Sequence, residues 1–150
     1  MPAISDLTDH TGYLLRMVSN AVSHTFASRV ADEGVTVAEW VMLRTLYSGE
    51  PSAPTVLARK MGMTKGAISK LADRLLEKGL IERASNPDDK RGHSLSLSAA
   101  GAKKVPVIAR LADENDAAFF AGLSREEHEG LRATLHALIT RCGLSEVPVD

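Results

Sequence analysis

The stretch "MGMTKGAISKLADRLLEKGL", residues 61–80, decides how this chain folds. Thr64 is placed to cap a helix, and Gly79 is placed to end it. A shorter helix that opens at Pro54 precedes this one, and only "GMT" separates the two. Such a tight joint is typical of a helix-turn-helix. The predicted inward face of the second helix consists of Ile68, Leu71, Ala72 and Leu75.

The residues after this helix predict a β-hairpin with a charged tip. "LIERAS", residues 80–85, and "GHSLSLS", residues 92–98, are short β-prone stretches on either side of "NPDDKR". The order is therefore helix, tight turn, helix and hairpin, which predicts a mainly α winged helix-turn-helix. In that arrangement the second helix enters the DNA major groove and the hairpin reaches the neighbouring minor groove or backbone.

Longer helices flank this lobe. Apolar residues at near-helical spacing predict one long helix over residues 5–30, and Thr36 with Glu39 forms a capping box for a helix over 37–48. Ser98 is placed to cap a helix over 99–120, and a last helix runs from Ser124 to about Cys142. The apolar stripe of that last helix is narrow, which favours another helix as its partner. The stripe consists of Leu131, Leu135, Leu138 and Cys142.

The net charge of −1 conceals a basic middle. Residues 59–91 hold nine basic and five acidic side chains, whereas the rest of the chain holds nine basic and fourteen acidic ones. A local basic surplus is expected of a phosphate-binding surface, although a solvated surface of this modest charge is about as common when nothing else supports it.

Composition excludes several other classes. No apolar run approaches the roughly 18 residues that span a bilayer, and the acidic start "MPAISDLTDH" is not a secretory signal, so we expect a cytoplasmic protein. One cysteine excludes an intrachain disulfide framework, and the spacing of the histidines indicates no zinc set. The chain has no nucleophile elbow, phosphate loop or dinucleotide fingerprint. We therefore expect no metal, no cofactor and no enzymatic activity.

Residues 58–101, "ARKMGMTKGAISKLADRLLEKGLIERASNPDDKRGHSLSLSAAG", resemble the DNA-binding core of the multiple antibiotic resistance regulator (MarR) family. The resemblance rests on the run from Ser69 to Arg83, followed by Asp89, Arg91 and the strand end at Leu97 and Ser98. It extends to "VTVAEWVMLRTL", residues 35–46, and to the flanking helices. The family pattern often has hydroxyl side chains where this chain has Gly66 and Ala67, so base preference cannot be transferred.

The resemblance implies a homodimeric regulator of transcription, usually a repressor, that binds a pseudo-palindromic operator. It implies one domain over residues 1–150, with a DNA-binding lobe over 36–98 and dimerisation helices over 5–30 and 99–143. A small aromatic or anionic effector would relieve binding near Tyr13, Arg16 and Trp40, although core packing or exposure explains these three equally well. Dimer contacts would come from Leu7, Leu14, Leu131, Leu135 and Leu138. The implied DNA-binding residues are Lys65, Ser69, Lys70, Arg74, Arg83, Asp89, Lys90 and Arg91.

Two alternatives stay open at the level of sequence. A winged helix could present its basic surface to an acidic protein partner and not to DNA. Cys142 could act as a thiol redox switch, but its place on a helix stripe favours a packed or incidental thiol.

Overall fold

The structure is a computed structural model that describes residues 1–47, 49–86 and 89–145, with only the backbone of residues 86 and 89–91. Within these ranges the chain forms six α-helices and one two-stranded antiparallel sheet. The helices are α1 (Thr11–Asp32), α2 (Val37–Tyr47), α3 (Pro54–Met61), α4 (Lys65–Glu77), α5 (Ala99–Phe119) and α6 (Arg125–Cys142). The strands are β1 (Ile81–Asn86) and β2 (Asp89–Leu97).

The first helix starts later than the periodicity predicts. A short 3-10 turn covers Leu7–Asp9, and the Asp9 carboxylate accepts a hydrogen bond of 2.9 Å from the Asp6 backbone N–H. His10 then takes an extended conformation, so the α-helix begins at Thr11. The prediction of one helix over residues 5–30 is therefore wrong at its start, because a local side-chain cap competes with helix continuation.

The helix-turn-helix forms as the sequence predicts. Gly62 closes α3 in the left-handed conformation, with φ of 63°, which a residue without a Cβ adopts at no steric cost. The Thr64 side chain caps α4 by accepting a hydrogen bond of 3.1 Å from the Ala67 backbone N–H. The predicted inward face of α4 is buried in the core.

The hairpin carries an additional backbone pairing that the sequence does not reveal. Ile81 pairs with Leu97 at its base, and Arg83 pairs with Leu95 further along. Ser52 exchanges two backbone hydrogen bonds with Leu95, of 2.9 and 2.8 Å, so the segment before α3 joins the hairpin as an isolated bridge. This bridge attaches the hairpin to the helix-turn-helix. Of the turn predicted at Asn86 and Pro87, Asn86 belongs to β1, and Pro87 lies outside the described residues.

The start of α5 is locked against the end of α4. The Ser98 hydroxyl donates a 2.6 Å hydrogen bond to the Gly79 carbonyl and accepts one of 3.0 Å from the Gly101 backbone N–H. The Leu80 carbonyl accepts a hydrogen bond from the Ser98 N–H, and a Cβ at position 101 would collide with that same carbonyl oxygen. Only glycine permits this approach.

The hydrophobic core lies among α2, α3, α4 and the base of the hairpin, with α5 and the end of α1 closing it. Met42, Leu43, Leu57, Ile68, Leu75 and Leu95 are among its fully buried side chains. In contrast, α6 buries no residue within the single chain. No helix in the described parts of the chain is long and apolar enough to cross a membrane.

Candidate nucleic-acid interface

The exposed face of α4 is the candidate groove-reading surface, and we call it the α4 face. Because Ile68, Leu71 and Leu75 point into the core, the residues between them turn outward. The α4 face consists of Lys65, Gly66, Ser69, Lys70, Asp73 and Arg74, all of which are exposed. A rigid helix with one buried and one polar face can place such side chains in the major groove.

Arg83 lies beside this face and pairs with it. Its guanidinium is 3.5 Å from the Asp73 carboxylate, and the two side chains are 47% and 70% exposed. An exposed pair at that distance contributes little stability and can exchange its partner. Arg83 is therefore near α4 and accessible, and its predicted contact with phosphate stays a prediction.

The wing residues are placed through their backbone. Asp89, Lys90 and Arg91 belong to the start of β2, and Asp89 pairs with Asn86 where the hairpin register shifts. Their side chains lie outside what the structure describes. The roles predicted for these three side chains therefore stay predictions.

The residues predicted to hold an effector differ in exposure. Trp40 is buried in the core, Tyr13 is half-buried, and Arg16 is exposed on α1. An apolar groove of about 290 Å³ lies elsewhere along α1, between that helix and the α5–α6 corner. Its walls include Leu15, Val18, Val22, Phe120, Leu131 and Leu135.

The residues predicted to form the dimer are exposed to different degrees. Leu7, Leu14, Leu135 and Leu138 are exposed apolar side chains, and Leu131 is half-buried in the groove. Leu15, Met17, Val18 and Ile139 are further exposed apolar side chains on α1 and α6. A surface of this kind is typical of an interaction site.

Two residues near α4 were not predicted to matter as a pair. Glu39 is fully buried, and its carboxylate meets the ammonium of Lys78, with Nζ 2.9 Å from Oε1 and 2.8 Å from Oε2. The sequence signals were present but separate, since Glu39 stands in a capping box and Lys78 follows α4. Nothing in the sequence indicates that the two side chains meet.

The Glu39 pKa results from opposing effects. Burial acts to raise it, whereas hydrogen bonds from Lys78 and Thr36 lower it, and the pKa lies below its ordinary value. Glu39 is therefore ionised at neutral pH and held by its partners.

A helix-turn-helix followed by an attached hairpin defines this chain as a winged-helix protein of the DNA-binding type. Residues 33–92 match the sequence profile of the MarR family. Over 149 residues the chain is 31% identical to a putative transcriptional regulatory protein for the hcr operon of Thauera aromatica, covering 93% of this chain and 87% of that protein. The chain belongs to the MarR family of transcriptional regulators.

Solved structures agree with this assignment. A probable transcriptional regulator from Pseudomonas aeruginosa is similar with a TM-score of 0.77 at 33% identity, covering 89% of this chain and 100% of that one. MepR of S. aureus, solved as a complex with DNA, has a TM-score of 0.77 at 25% identity, covering 88% of this chain and 98% of that one. The predicted fold and family are confirmed.

Proposed function

We propose that this protein represses transcription by binding a pseudo-palindromic operator in double-stranded DNA as a homodimer. The observation that carries the proposal is the α4 face, which presents Lys65, Ser69, Lys70 and Arg74 on a rigid helix beside the hairpin. The complex of MepR with DNA supports the same use of the fold. Such a role involves binding and requires no catalysis.

Within the chain, we assign residues 36–98 to the DNA-binding lobe. In that lobe Lys65, Ser69 and Lys70 address the major groove, Arg74 and Arg83 neutralise phosphates, and Arg91 enters the minor groove with Asp89 and Lys90 beside it. Arginine suits a narrow minor groove because its charge is favoured by the strong negative potential there.

We assign the flanking helices, over residues 5–30 and 99–143, to dimerisation. The exposed apolar side chains of α1 and α6 support this assignment, since covering them removes apolar surface from water. A two-fold dimer would present two α4 helices to half-sites whose centres lie about 10 to 10.5 base pairs apart, or a multiple of that.

A regulator that binds chromosomal DNA works where the DNA is, so we infer a cytoplasmic location. We also propose that a small aromatic or anionic effector relieves repression near Tyr13, Arg16 and Trp40. A panel of aromatic carboxylates in a thermal-shift assay tests this point. A rise in the melting temperature that Arg16→Ala removes is expected, and no shift with any compound would contradict it.

Selection of DNA from a random duplex pool tests the main proposal. The wild-type protein should enrich a two-fold symmetric sequence, and its affinity should fall steeply with salt, by about 0.9 logarithmic units per decade of salt for each phosphate neutralised. Lys70→Ala should lower the affinity, whereas Arg125→Ala should not, because Arg125 is an exposed cation on α6 that pairs with Glu129. If no duplex is retained even at low salt, the protein does not bind DNA.

A further inference from the structure

The buried carboxylate of Glu39 occupies an unusual place for a capping residue. It accepts a hydrogen bond of 2.9 Å from the Thr36 backbone N–H, as the third residue of a capping box does. Residues at that position normally face water, yet Glu39 is fully buried. A buried charge is tolerated only with a partner of opposite charge, and here that partner comes from the end of α4.

That partner is Lys78, the residue that ends α4. Its ammonium donates a hydrogen bond of 2.8 Å to the Gly34 carbonyl as well as one of 2.9 Å to Glu39 Oε1. One cation therefore holds the turn between α1 and α2, the start of α2 and the end of α4. We call this set of contacts the α4 clamp.

The clamp constrains α4 in a way that apolar packing alone does not. Apolar side chains tolerate small slides because their contacts have no preferred direction. An ion pair with hydrogen bonds is directional. The Lys78 side chain is 39% exposed but the Glu39 carboxylate is fully buried, so moving the ammonium away would leave that carboxylate without a counter-charge. The C-terminal end of α4 is therefore fixed to the α1–α2 turn.

The same turn is also tied to α5. Lys104 of α5 pairs with Glu33 at 3.2 Å, and these side chains are 30% and 31% exposed. Residues 33–39 thus meet α4 on one side and α5 on the other, between the helices assigned to dimerisation and the helix assigned to the groove. The Glu33–Lys104 pair has the same chemistry as the clamp but does not touch α4.

We propose that Glu39 and Lys78 are positioning residues for DNA recognition, because their ion pair sets the inclination of α4 relative to the dimerisation helices and hence the separation of the two α4 helices in a dimer. This inference rests on the proposed function. Neither side chain needs to touch DNA for it to hold. The preferred spacing between operator half-sites is then a property of the clamp.

Glu39→Gln is the most informative variant. Glutamine also serves in a capping box, so the variant keeps the Thr36 contact and loses only the charge. Lys78→Met removes the cation from the other side. Asp32→Asn and Glu50→Gln are the controls, because each removes one carboxylate charge from an exposed side chain outside the clamp.

Each variant is tested on the duplex selected by the wild-type protein and on duplexes with one base pair added or removed between the half-sites. We expect Glu39→Gln and Lys78→Met each to reduce the preference for the selected spacing by about tenfold, within the range that one mismatched position costs. The double variant should lose little more than either single one, because both remove the same contact. The two controls should change the preference less than about twofold. Circular dichroism and sedimentation confirm folded dimers at the assay temperature.

Other outcomes overturn the inference. If Glu39→Gln strengthens binding to every duplex, Lys78 contacts phosphate and Glu39 holds it away from the DNA. An unchanged spacing preference, or equal losses in the controls, would show that the clamp does not position α4. A wild-type protein that retains no duplex at all would overturn the proposed function, and the inference with it, before any variant is made.

Discussion

Glu39 combines a local role and a distant one in a single carboxylate. It caps α2 by accepting a hydrogen bond from the Thr36 backbone N–H, three residues earlier. It also neutralises Lys78 at the end of α4. Because its pKa is lowered in the folded protein, the ionised form contributes stability above the ordinary pKa of a glutamate. That contribution is lost as the pH falls through the lowered pKa.

The two sides of the ion pair should respond differently to substitution. At pH 7 we expect Glu39→Gln to lower the free energy of unfolding by about 1 to 3 kcal/mol, the value of a hydrogen bond to a charged group. Lys78→Met should cost more, near the upper end of that range, because it leaves a buried carboxylate without its cation, although water reaching the Lys78 side chain, which is 39% exposed, limits the loss. Urea unfolding at pH 7 measures both values.

Acidification should reduce the difference in the free energy of unfolding between the wild-type protein and each of the two variants. Protonation removes the Glu39 charge, so the wild-type protein loses its advantage over Glu39→Gln as the pH falls below about 4. In Lys78→Met burial acts on Glu39 without the compensating cation, so uptake of a proton relieves the penalty. Differences that stay constant from pH 7 to pH 3 would contradict an ionised role for Glu39.

Gly101 is required by the approach of α5 to the end of α4. We expect Gly101→Ala to lower the free energy of unfolding by about 1 to 3 kcal/mol, the usual cost of forcing atoms into a packed site. The reason is the collision of a new Cβ with the Leu80 carbonyl, a backbone atom that cannot rotate away. Thermal unfolding measures this loss of stability, with Gly66→Ala as the control.

Gly66 lies in a helix with open space around it, so Gly66→Ala should be neutral or stabilise by up to about 1 kcal/mol. Equal melting temperatures for the wild-type protein and Gly101→Ala would show that α5 can move away from Leu80.

The proposed recognition of DNA is divided between two elements, the hairpin and α4. The hairpin is attached to the lobe through the Ser52–Leu95 bridge, and α4 is attached through its buried apolar face. Each element thus has a fixed base and a polar outer part. Substitutions in the two elements should therefore have different signatures.

In the hairpin, Arg91→Ala should cost about 1 to 3 kcal/mol of specific binding if the side chain reads a base edge or a narrow groove. Binding to unrelated DNA should change less, because the sequence-dependent contact is what is lost. Titration of the selected operator and of an unrelated duplex measures both affinities. An operator affinity equal to that of the folded wild-type protein would exclude this role for Arg91.

In α4, Arg74→Ala should weaken binding to all sequences alike and reduce the slope of affinity against salt by about one charge. Arg74 is exposed near the end of the α4 face, where a phosphate contact would position the helix without reading bases. Affinities at four salt concentrations measure the slope. A change in sequence preference would show that Arg74 and Arg91 have exchanged roles.

At the scale of the whole molecule, the single chain leaves much of its apolar surface uncovered. The core consists mainly of side chains from residues 36–98 and from the inner side of α5. In contrast, α6 and much of α1 keep apolar side chains exposed. The dimerisation proposed for these helices would cover these side chains. The acidic balance outside residues 59–91 also discourages DNA from binding to the other faces.

Leu135→Asp should convert the dimer into monomers, because a charge placed in an apolar interface loses its hydration without gaining a partner. Operator affinity should then fall by well over tenfold, since a monomer engages one half-site. Sedimentation velocity measures the oligomeric state. Ala133→Asp is the control, because Ala133 lies on the opposite side of α6 from the stripe.

A Leu135→Asp protein that stays dimeric and binds the operator normally would place the interface elsewhere. Circular dichroism of the same samples separates dissociation from unfolding.

The order of the elements and most of their ends follow from the sequence alone, because the signals that start and stop a helix act within a few residues. Thr64 and Ser98 cap their helices as predicted, and the last helix begins after Ser124 as predicted. The predicted start of α1 was wrong because the Asp9 carboxylate caps a local 3-10 turn before the helix begins. The family was also readable from the α4 and hairpin motif, and the comparisons confirm it.

Contacts between residues far apart in the sequence could be seen only in the folded chain. Glu39 and Lys78 are 39 positions apart, and Ser52 is 43 positions from Leu95, so no local pattern joins either pair. The collision that requires Gly101 likewise depends on how α5 lies against Leu80. Such contacts arise from the packing of whole elements, which fixes distances that residue spacing along the chain leaves open.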